Sequence, residues 1–426
     1  MVTVTDRLEA KVGGQAQKRG LIPRTPPGDR LLADAAVWLA GEYADAVRST
    51  RQRTLDDGSH ELAVDLHPAV PPLQLVASDS GRVMAVAETA VAGPGYHRFL
   101  GRVLERLGTE VGIEWMDGDG ATTFLDRPGA EQAYLAWLGP QLARAKVAAG
   151  RGQRGIHLGL PPGTRYTTDA AIATVLGPRD EAWLDAAMAD PRVALDITPW
   201  WADATDGRYL LHRALTLLWL EVRWRAPAVE GETDLLDEVH RLLTRAYPMD
   251  PALPYPWHAW AELCAYRGIS DQMARQVASR AAREPEPDPP VGYRRDPVRI
   301  THEGWGLEVP GWYAERRTPE EWWGGGTGRS ITIAATRTGL SDGTPMPAQA
   351  FVEQFATDLG PDALAHRDGE VLGRARLTTD ASSGVEIGVL EGYSAIRGSG
   401  AAMRVSFDDP ADWSWAVETW RSLRPS

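Results

Sequence analysis

The chain has 426 residues, of which 43% are hydrophobic and 24% are charged, an ordinary composition for a globular protein of two or three domains. Its formal net charge of −13 disfavours non-specific binding to nucleic acids or to an anionic membrane surface. The single cysteine, Cys264, excludes an intramolecular disulfide and a thiolate metal cluster. Its apolar, helical surroundings predict a small buried side chain.

The start of the chain and its longest apolar segment both predict a cytoplasmic protein. Residues 1–30 contain no apolar stretch of the kind found in a secretory signal. The longest apolar helix candidate, 209–224, contains charged residues and is shorter than the ~20 residues that a membrane span needs. Three lysines against 42 arginines indicate the codon usage of a GC-rich, actinobacterial genome.

Residues 1–28 are polar and interrupted by glycine and proline, which predicts a disordered tail. Hydrophobic periodicity then predicts an α+β domain over 29–150. Its predicted helices are 31–43, 93–107 and 131–149. Its predicted strands are 61–66, 73–77, 82–87, 111–116 and 121–125. Strands followed by helices in this order favour an α+β layer structure.

The next region, 151–283, is predicted to be mainly helical, and its pattern leaves open whether it forms one unit with 29–150. Short strands are predicted at 154–160 and 193–197. Helices are predicted at 168–175, 179–189, 206–224, 232–246, 256–266 and 270–282.

Residues 284–297 form the clearest linker, because the run Glu284-Pro-Glu-Pro-Asp-Pro-Pro290 bars a helix or a central strand. A last domain is predicted over 298–426. Its predicted strands are 298–303, 305–309, 329–337, 370–379, 384–391 and 396–407. Its predicted helices are 348–359 and 411–423.

Two motifs of the last domain carry a family resemblance. Trp305-Gly-Leu-Glu-Val-Pro-Gly-Trp312 combines an opening strand, a Pro-Gly turn and a tryptophan. Ala401-Ala-Met-Arg-Val-Ser-Phe-Asp-Asp-Pro-Ala-Asp-Trp413 combines a late strand with an Asp-Pro helix start, and the closing helix ends at Trp420-Arg-Ser-Leu423. The domain resembles the PsbP-like superfamily, which includes the actinobacterial LpqN-type lipoproteins.

The resemblance covers less than a third of the chain. It implies a small α/β/α sandwich with an antiparallel sheet, and an accessory or binding protein rather than an enzyme. The lipoproteins also have a signal peptide and a lipid-bearing cysteine; because neither is visible here, the resemblance does not imply export. The first 285 residues, with Gly93-Pro-Gly-Tyr-His97 and Asp196-Ile-Thr-Pro-Trp200, loosely resemble accessory proteins of bacterial NTPase-centred conflict systems.

One candidate anion site lies at the start of a predicted helix. Gly95, Tyr96, His97 and Arg98 follow a tight Gly-Pro-Gly turn, and the N-terminus of a helix favours phosphate or carboxylate groups. The alternative is an ordinary turn with a partly exposed histidine.

The 17 tryptophans, against only five phenylalanines, suggest either dense cores or exposed interaction surfaces. Trp200 and Trp201 lie in an aromatic-rich segment, and Trp322 and Trp323 precede a glycine run that predicts a flexible hairpin loop. We therefore take these four residues as candidate partner contacts. The run is not a P-loop, because the first glycine is Trp323 and the lysine is Arg329.

The acidic clusters predict neither a metal site nor a catalytic pair. Asp117 and Asp119 lack the glutamate of a calcium loop, since Pro128 occupies its position. Asp196, Asp203 and Asp206 surround Trp200 and Trp201, but residues of this kind more often cap helices than hydrolyse glycosides. No metal, cofactor or catalytic motif is predicted.

Three hypotheses for function remain open. The first is a non-enzymatic interaction or adaptor protein with a protein partner, which would expose a large aromatic patch. The second is an enzyme with an unrecognised site, which would have a pocket with convergent polar groups near 200–206 or His97. The third is a small-ligand sensor with a pocket in the C-terminal sandwich lined by Trp305, Trp312 or Trp415.

Overall fold

The structure is a computed structural model that describes residues 9–17, 27–89, 92–116, 129–161, 163–201, 205–229, 231–340, 342–381 and 386–426. Helices account for 40% and strands for 29% of it, so the predicted α+β class is confirmed. The chain divides into two compact units. Unit 1 comprises Met1–Pro161, Thr168–Val222 and Thr233–Gly292, and unit 2 comprises Pro162–Thr167, Arg223–Glu232 and Tyr293–Ser426.

The helices and strands follow in chain order. The first are β1 (Glu9–Ala16), α1 (Gly28–Glu42), β2 (Ser49–Thr54), β3 (His60–Asp65), β4 (Leu73–Ala77), β5 (Arg82–Glu88), α2 (Gly93–Leu107), β6 (Ile113–Met116) and α3 (Ala130–Gly150). Next come β7 (Ile156–His157), β8 (Thr164–Tyr166), β9 (Ile172–Thr174), β10 (Gly177–Arg179), α4 (Glu181–Ala189), α5 (Gly207–Leu220), α6 (Glu232–Met249), α7 (Trp257–Arg267) and α8 (Gln272–Ala281). The last are β11 (Val298–His302), β12 (Trp305–Val309), β13 (Ala314–Arg317), β14 (Trp322–Gly326), β15 (Arg329–Arg337), α9 (Ala348–Phe355), β16 (Leu364–Asp368), β17 (Val371–Asp380), β18 (Ile387–Ile396), β19 (Ser399–Phe407), α10 (Trp413–Ser422) and β20 (Arg424–Pro425).

Unit 1 contains a six-stranded antiparallel sheet in the order β2-β3-β4-β5-β1-β6. In β4 and β5, buried residues alternate with more exposed ones, so the period-two prediction is correct there. Strand β1 corrects the expectation of a tail over 1–28, because it lies inside the sheet between β5 and β6. The sequence pattern does not predict this strand because glycines interrupt its apolar alternation. Gly14 is needed there, since a Cβ on it would lie 2.8 Å from Ile113 of β6.

Two local predictions in unit 1 are wrong. Part of the predicted helix 168–175 is strand β9, whose residues are all buried; a short run buried on both faces does not show the period of a strand. The predicted strand 193–197 lies in the 3-10 helix Pro191–Ile197, where Asp190 accepts a hydrogen bond from the Arg192 N–H. Proline at the first position and an aspartate cap both favour a helical turn.

Unit 2 contains a seven-stranded antiparallel sheet in the order β13-β14-β15-β19-β18-β17-β16. Helix α9 places Phe351 against Gly400, and helix α10 places Trp420 against Gly392. Gly392 pairs with Met403, three residues from Gly400 in β19, so the two glycines face opposite sides of the sheet. One helix therefore covers each face, which agrees with the predicted α/β/α sandwich.

Unit 2 also draws on chain segments that precede residue 298. Strand β8 pairs with β11, with Tyr166 opposite Val298, in a second sheet of order β20-β12-β11-β8. Arg225 forms two hydrogen bonds with Glu232, at 2.7 and 2.8 Å. Arg294, in the predicted linker 284–297, is only 5% exposed and lies 2.7 Å from the Glu315 carboxylate. Part of that linker therefore lies in the interior of unit 2.

The glycine run 324–326 lies in strand β14 rather than in a flexible loop. A Cβ on Gly324 would lie 2.2 Å from the Trp322 ring, and one on Gly326 would lie 2.0 Å from the Trp312 ring. The glycines are required because two indole rings lie directly on the backbone.

We expect Gly324→Ala to destabilise unit 2 by about 1–3 kcal/mol, the usual result of overpacking. Trp322 cannot move aside, because it is fully buried and its indole N–H donates to Glu315 at 3.1 Å. Urea unfolding measures the change. Gly339→Ala is the matched control, since its Cβ would meet only the Thr344 carbonyl oxygen, at 3.5 Å. Equal stability of the two variants would contradict the explanation.

Candidate functional site

A cavity of about 470 Å³ lies in unit 1, between helix α2, the start of α5 and the segment that follows α1. Its lining combines aromatic rings with a few polar side chains. The lining residues are Gly41, Glu42, Tyr43, Ala44, Asp45, Ala46, Phe99, Arg106, Trp201, Thr205 and Tyr209. The hypothesis of an unrecognised enzyme expects a pocket near residues 200–206, and Trp201 and Thr205 both line this cavity.

The aromatic rings of the lining form a continuous chain of contacts. Ring centroids are 5.7 Å apart for Tyr43 and Phe99, 4.8 Å for Phe99 and Trp201, and 5.5 Å for Trp201 and Tyr209. Trp38, which is not part of the lining, continues this row of aromatic rings: its ring centroid lies 5.5 Å from that of Tyr43. Four aromatic residues therefore line the cavity, and aromatic surfaces of this kind bind planar or apolar groups.

Three buried polar atoms around Trp201 have no hydrogen-bond partner in the part of the chain that the structure describes. They are His67 Nε2, Tyr96 OH and Trp201 Nε1. The His67 ring lies 5.4 Å and the Tyr96 ring 4.7 Å from the Trp201 ring. Nδ1 of His67 accepts a hydrogen bond from the Ala69 N–H at 3.2 Å, so the neutral ring carries its proton on Nε2. All three atoms can therefore act as donors.

The buried setting keeps these groups neutral. Burial, reinforced by Arg213 and Arg48, holds the pKa of His67 well below its usual range, and burial raises the pKa of Tyr96 and of Tyr209. Burial also lowers the pKa of His212 to about 4, with a further contribution from Arg208. Neutral imidazole and phenol groups are suited to hydrogen bonding with a ligand.

The polar wall of the cavity is held by two arginines. Arg245 binds the Asp45 carboxylate through two hydrogen bonds of 2.6 and 2.9 Å, and this pairing keeps the pKa of Asp45 below its usual value despite partial burial. Arg213 donates to the Asp45 carbonyl at 2.7 Å and to the Tyr209 hydroxyl at 3.3 Å. The charge of Asp45 is therefore already balanced by the protein.

The structure brings only part of the predicted anion site to the cavity region. Tyr96 contacts Trp201, and a Cβ on Gly95 would lie 3.2 Å from the Trp201 side chain. His97 is 3% exposed, which corrects the expectation of a partly exposed histidine. Neither His97 nor Arg98 belongs to the cavity lining.

The four candidate interaction tryptophans have different environments. Trp200 is 40% exposed, whereas Trp201 is buried against the cavity. Trp322 is fully buried in β14, and Trp323 is half-buried, so the expectation of two exposed tryptophans on a loop is wrong. All 17 tryptophans lie in the described residues, and only Trp200 and Trp312 are exposed. The other fifteen tryptophans are therefore buried or half-buried.

The remaining sequence candidates have structural roles. Asp206 caps α5 by accepting from the Tyr209 N–H, and Asp196 accepts from the Trp183 indole N–H at 3.1 Å. Asp117, Asp119 and Asp203 lie outside the described residues. In unit 2, Trp305 is fully buried and donates to Ser399 at 2.9 Å, so it does not line an open pocket.

A second polar cluster in unit 1 has the arrangement of a cysteine–histidine–aspartate triad. Cys264 Sγ lies 3.5 Å from His240 Nδ1, and His240 Nε2 lies 3.5 Å from Asp271. However, the Trp260 indole N–H also donates to Nδ1, at 3.1 Å. Cys264 is 4% exposed and burial raises its pKa to about 11. The protonated, inaccessible thiol is not a nucleophile, and Cys264 is the small buried side chain that the sequence predicts.

Within the described ranges, no group of three or more histidine, cysteine or acidic residues could hold a metal ion. Across the same ranges, no helix is both long and apolar enough for a membrane span.

Comparisons with known proteins provide no identity. No family model matches the chain, and no curated protein matches it. A crystal structure from Bacteroides thetaiotaomicron VPI-5482 aligns with 29% of this chain at 9% identity and a TM-score of 0.25. The alignment spans 45% of that protein, just under half its length. A likeness of this size supports no statement about fold or function.

We expect unit 1 to lose stability between pH 6.5 and pH 4. His67 and His212 have lowered pKa values in the folded state, so the unfolded chain binds the extra protons first as the pH falls. Each histidine contributes a loss of about 1.4 kcal/mol per pH unit in this window. Hydrogen exchange of α5, corrected for intrinsic rates, measures the opening free energy.

His212→Asn keeps an acceptor for the Trp200 N–H, which now donates to His212 Nδ1 at 3.0 Å, and removes one titrating group. Its slope of stability against pH is expected to be about half as steep. His258→Gln in α7 is the control for loss of a histidine elsewhere in the unit. An unchanged slope in His212→Asn would be evidence against this assignment.

Proposed function

We propose that unit 1 binds a small organic molecule in the cavity beside Trp201. The observation that carries the proposal is the group of three buried donors, His67 Nε2, Tyr96 OH and Trp201 Nε1, that lack acceptors. A buried donor without a partner costs about 1–3 kcal/mol. Of the three, Trp201 belongs to the cavity lining, and His67 and Tyr96 pack against its ring outside that lining. Three such donors around one ring are compatible with a site whose hydrogen bonds are completed by a bound molecule.

The size and lining of the cavity support the same proposal. A volume of about 470 Å³ lies within the range of about 300–1,000 Å³ typical of small-molecule sites. Its aromatic lining suits a planar apolar portion, and the unpaired donors at and behind Trp201 suit a carbonyl, carboxylate or other oxygen acceptor. The hypothesis of an enzyme with an unrecognised site would place its substrate in the same cavity.

A second candidate function is the adaptor hypothesis, and one residue favours it. Trp200 is 40% exposed, yet its ring is fixed on two sides. Its indole N–H donates to Asp206 at 3.1 Å, and the Arg208 guanidinium lies 4.5 Å from its ring centroid. A rigid exposed tryptophan is typical of an interface anchor. We therefore retain a cytoplasmic protein partner as a proposal for this surface.

For unit 2, membership of the PsbP-like superfamily also remains a proposal. The helix on each face of its antiparallel sheet supports it at the level of architecture. An accessory role for unit 2 would suit either candidate function of unit 1.

The ligand proposal predicts that a library of uncharged aromatic carbonyl compounds contains molecules that bind the intact protein and raise its melting temperature. Trp201→Phe removes the indole N–H and part of the ring surface, and we expect it to weaken binding at least ten-fold. Trp219→Phe is the matched control, because Trp219 is a buried tryptophan of the same unit outside the cavity lining. Equal affinity of the two variants for every hit would contradict the proposal.

The adaptor proposal predicts that Trp200→Ala abolishes a stoichiometric complex recovered from the native host with the tagged protein. Val37→Ala, which removes another exposed apolar side chain of unit 1, is expected to leave the complex intact. Mass spectrometry of the recovered complexes measures the difference. A partner that persists with Trp200→Ala would exclude Trp200 as its anchor.

A further inference from the structure

Arg106 lies at the outer end of the cavity in a setting typical of a bound cation. Its guanidinium carbon is 5.8 Å from the Trp38 ring centroid and 5.6 Å from the Tyr43 ring centroid. The same guanidinium pairs with the Glu42 carboxylate and donates to the Tyr43 hydroxyl at 3.4 Å. Two ring faces and one carboxylate thus surround a single positive charge.

We propose that this outer end is a binding site for an organic cation, and that the Arg106 side chain is an internal occupant which the ligand displaces. The inference rests on the proposed ligand-binding function of unit 1 and specifies the charge of the ligand. Glu42, Tyr43 and Arg106 all belong to the cavity lining. A cation at this place would therefore be continuous with the cavity.

The charges around the cavity identify Glu42 as the group that attracts the ligand. Asp45, the other carboxylate of the lining, is already neutralised by Arg245. Glu42 pairs with Arg106, so its charge becomes available when the guanidinium leaves. A planar guanidinium or a methylated ammonium group can replace it between the rings, because both interact with aromatic faces.

The occupant can be displaced because it is held weakly. The Arg106 side chain is 53% exposed and that of Glu42 is 42% exposed. Exposed ion pairs contribute little to stability, since water solvates both partners well. The long arginine side chain can therefore leave the rings without disturbing α2.

The aromatic chain gives the ligand its second feature. From Tyr43 the rings continue through Phe99 to Trp201. A cation with a short apolar or aromatic tail would place its charge beside Glu42 and its tail along these rings. The chemical class is thus an aryl- or alkyl-substituted guanidinium or ammonium compound, and an oxygen acceptor at the far end of its tail would meet the unpaired Trp201 indole N–H.

The experiment compares phenethylguanidinium with phenethylurea, its neutral counterpart of the same shape, by calorimetric titration of the intact protein. Removal of an internal competitor raises the apparent affinity by the reciprocal of the fraction of sites that it left free, so occupancy of about nine tenths gives about a ten-fold gain. Arg106→Ala is therefore expected to bind the guanidinium about ten-fold more tightly than the wild-type protein. Glu42→Gln in the Arg106→Ala background is expected to remove this gain.

Arg102→Ala is the matched control, because Arg102 lies one turn earlier in α2 and outside the cavity lining; its affinity is expected to equal that of the wild type. Equal binding of the guanidinium and the urea to Arg106→Ala, or no gain over the wild type, would overturn the inference. Uncharged library compounds that bind in a Trp201-dependent manner would then leave the proposed function standing. Absence of any Trp201-dependent binding, charged or neutral, would remove both.

Discussion

The candidate site of unit 1 depends on one buried guanidinium, that of Arg213. Its side chain is 3% exposed, and it donates to the Asp45 and Ala46 carbonyls, to the Tyr209 hydroxyl and to the Glu238 carboxylate. A charge buried this deeply needs paired donors. Both terminal nitrogens of Arg213 are paired, whereas its Nε has no partner among the described residues. The chain after α1 is thereby fixed to α5 and α6, and this chain forms the polar wall of the cavity.

Arg213 also shapes the electrostatics beneath the cavity. Its positive charge, added to the effect of burial, keeps His67 uncharged. The ring of His67 can then pack against Trp201 without an acidic partner. One buried arginine thus does two things: it holds the wall of the cavity by hydrogen bonds and keeps the donors under the cavity neutral. Loss of that charge would change the site even if the aromatic rings stayed in place.

How much the sequence predicts depends on whether a residue's role is local. Alternation of apolar residues correctly predicts β4 and β5, and the apolar face after the Gly-Pro-Gly turn correctly predicts α2. The sequence does not predict strand β1, because Gly14 provides space for a side chain of β6, about 100 residues away in the chain. Of the cavity, the sequence indicates only the segment near 200–206, since the other walls come from two distant segments of the chain. Trp201 could be selected by residue type, but its contacts with His67 and Tyr96 could not.

The many tryptophans show why unpaired donors matter at this particular place. Several of the buried or half-buried indoles satisfy their N–H within the fold: Trp115 donates to the Leu104 carbonyl, Trp260 to His240 and Trp322 to Glu315. Trp224 and Trp420 resemble Trp201 in having a buried N–H without a partner among the described residues. A single unpaired indole is therefore an ordinary cost of dense aromatic packing in this protein. Trp201 differs in two respects: its neighbours His67 and Tyr96 also have buried polar atoms without a partner, and a cavity lies against its ring. This combination favours a ligand over imperfect packing.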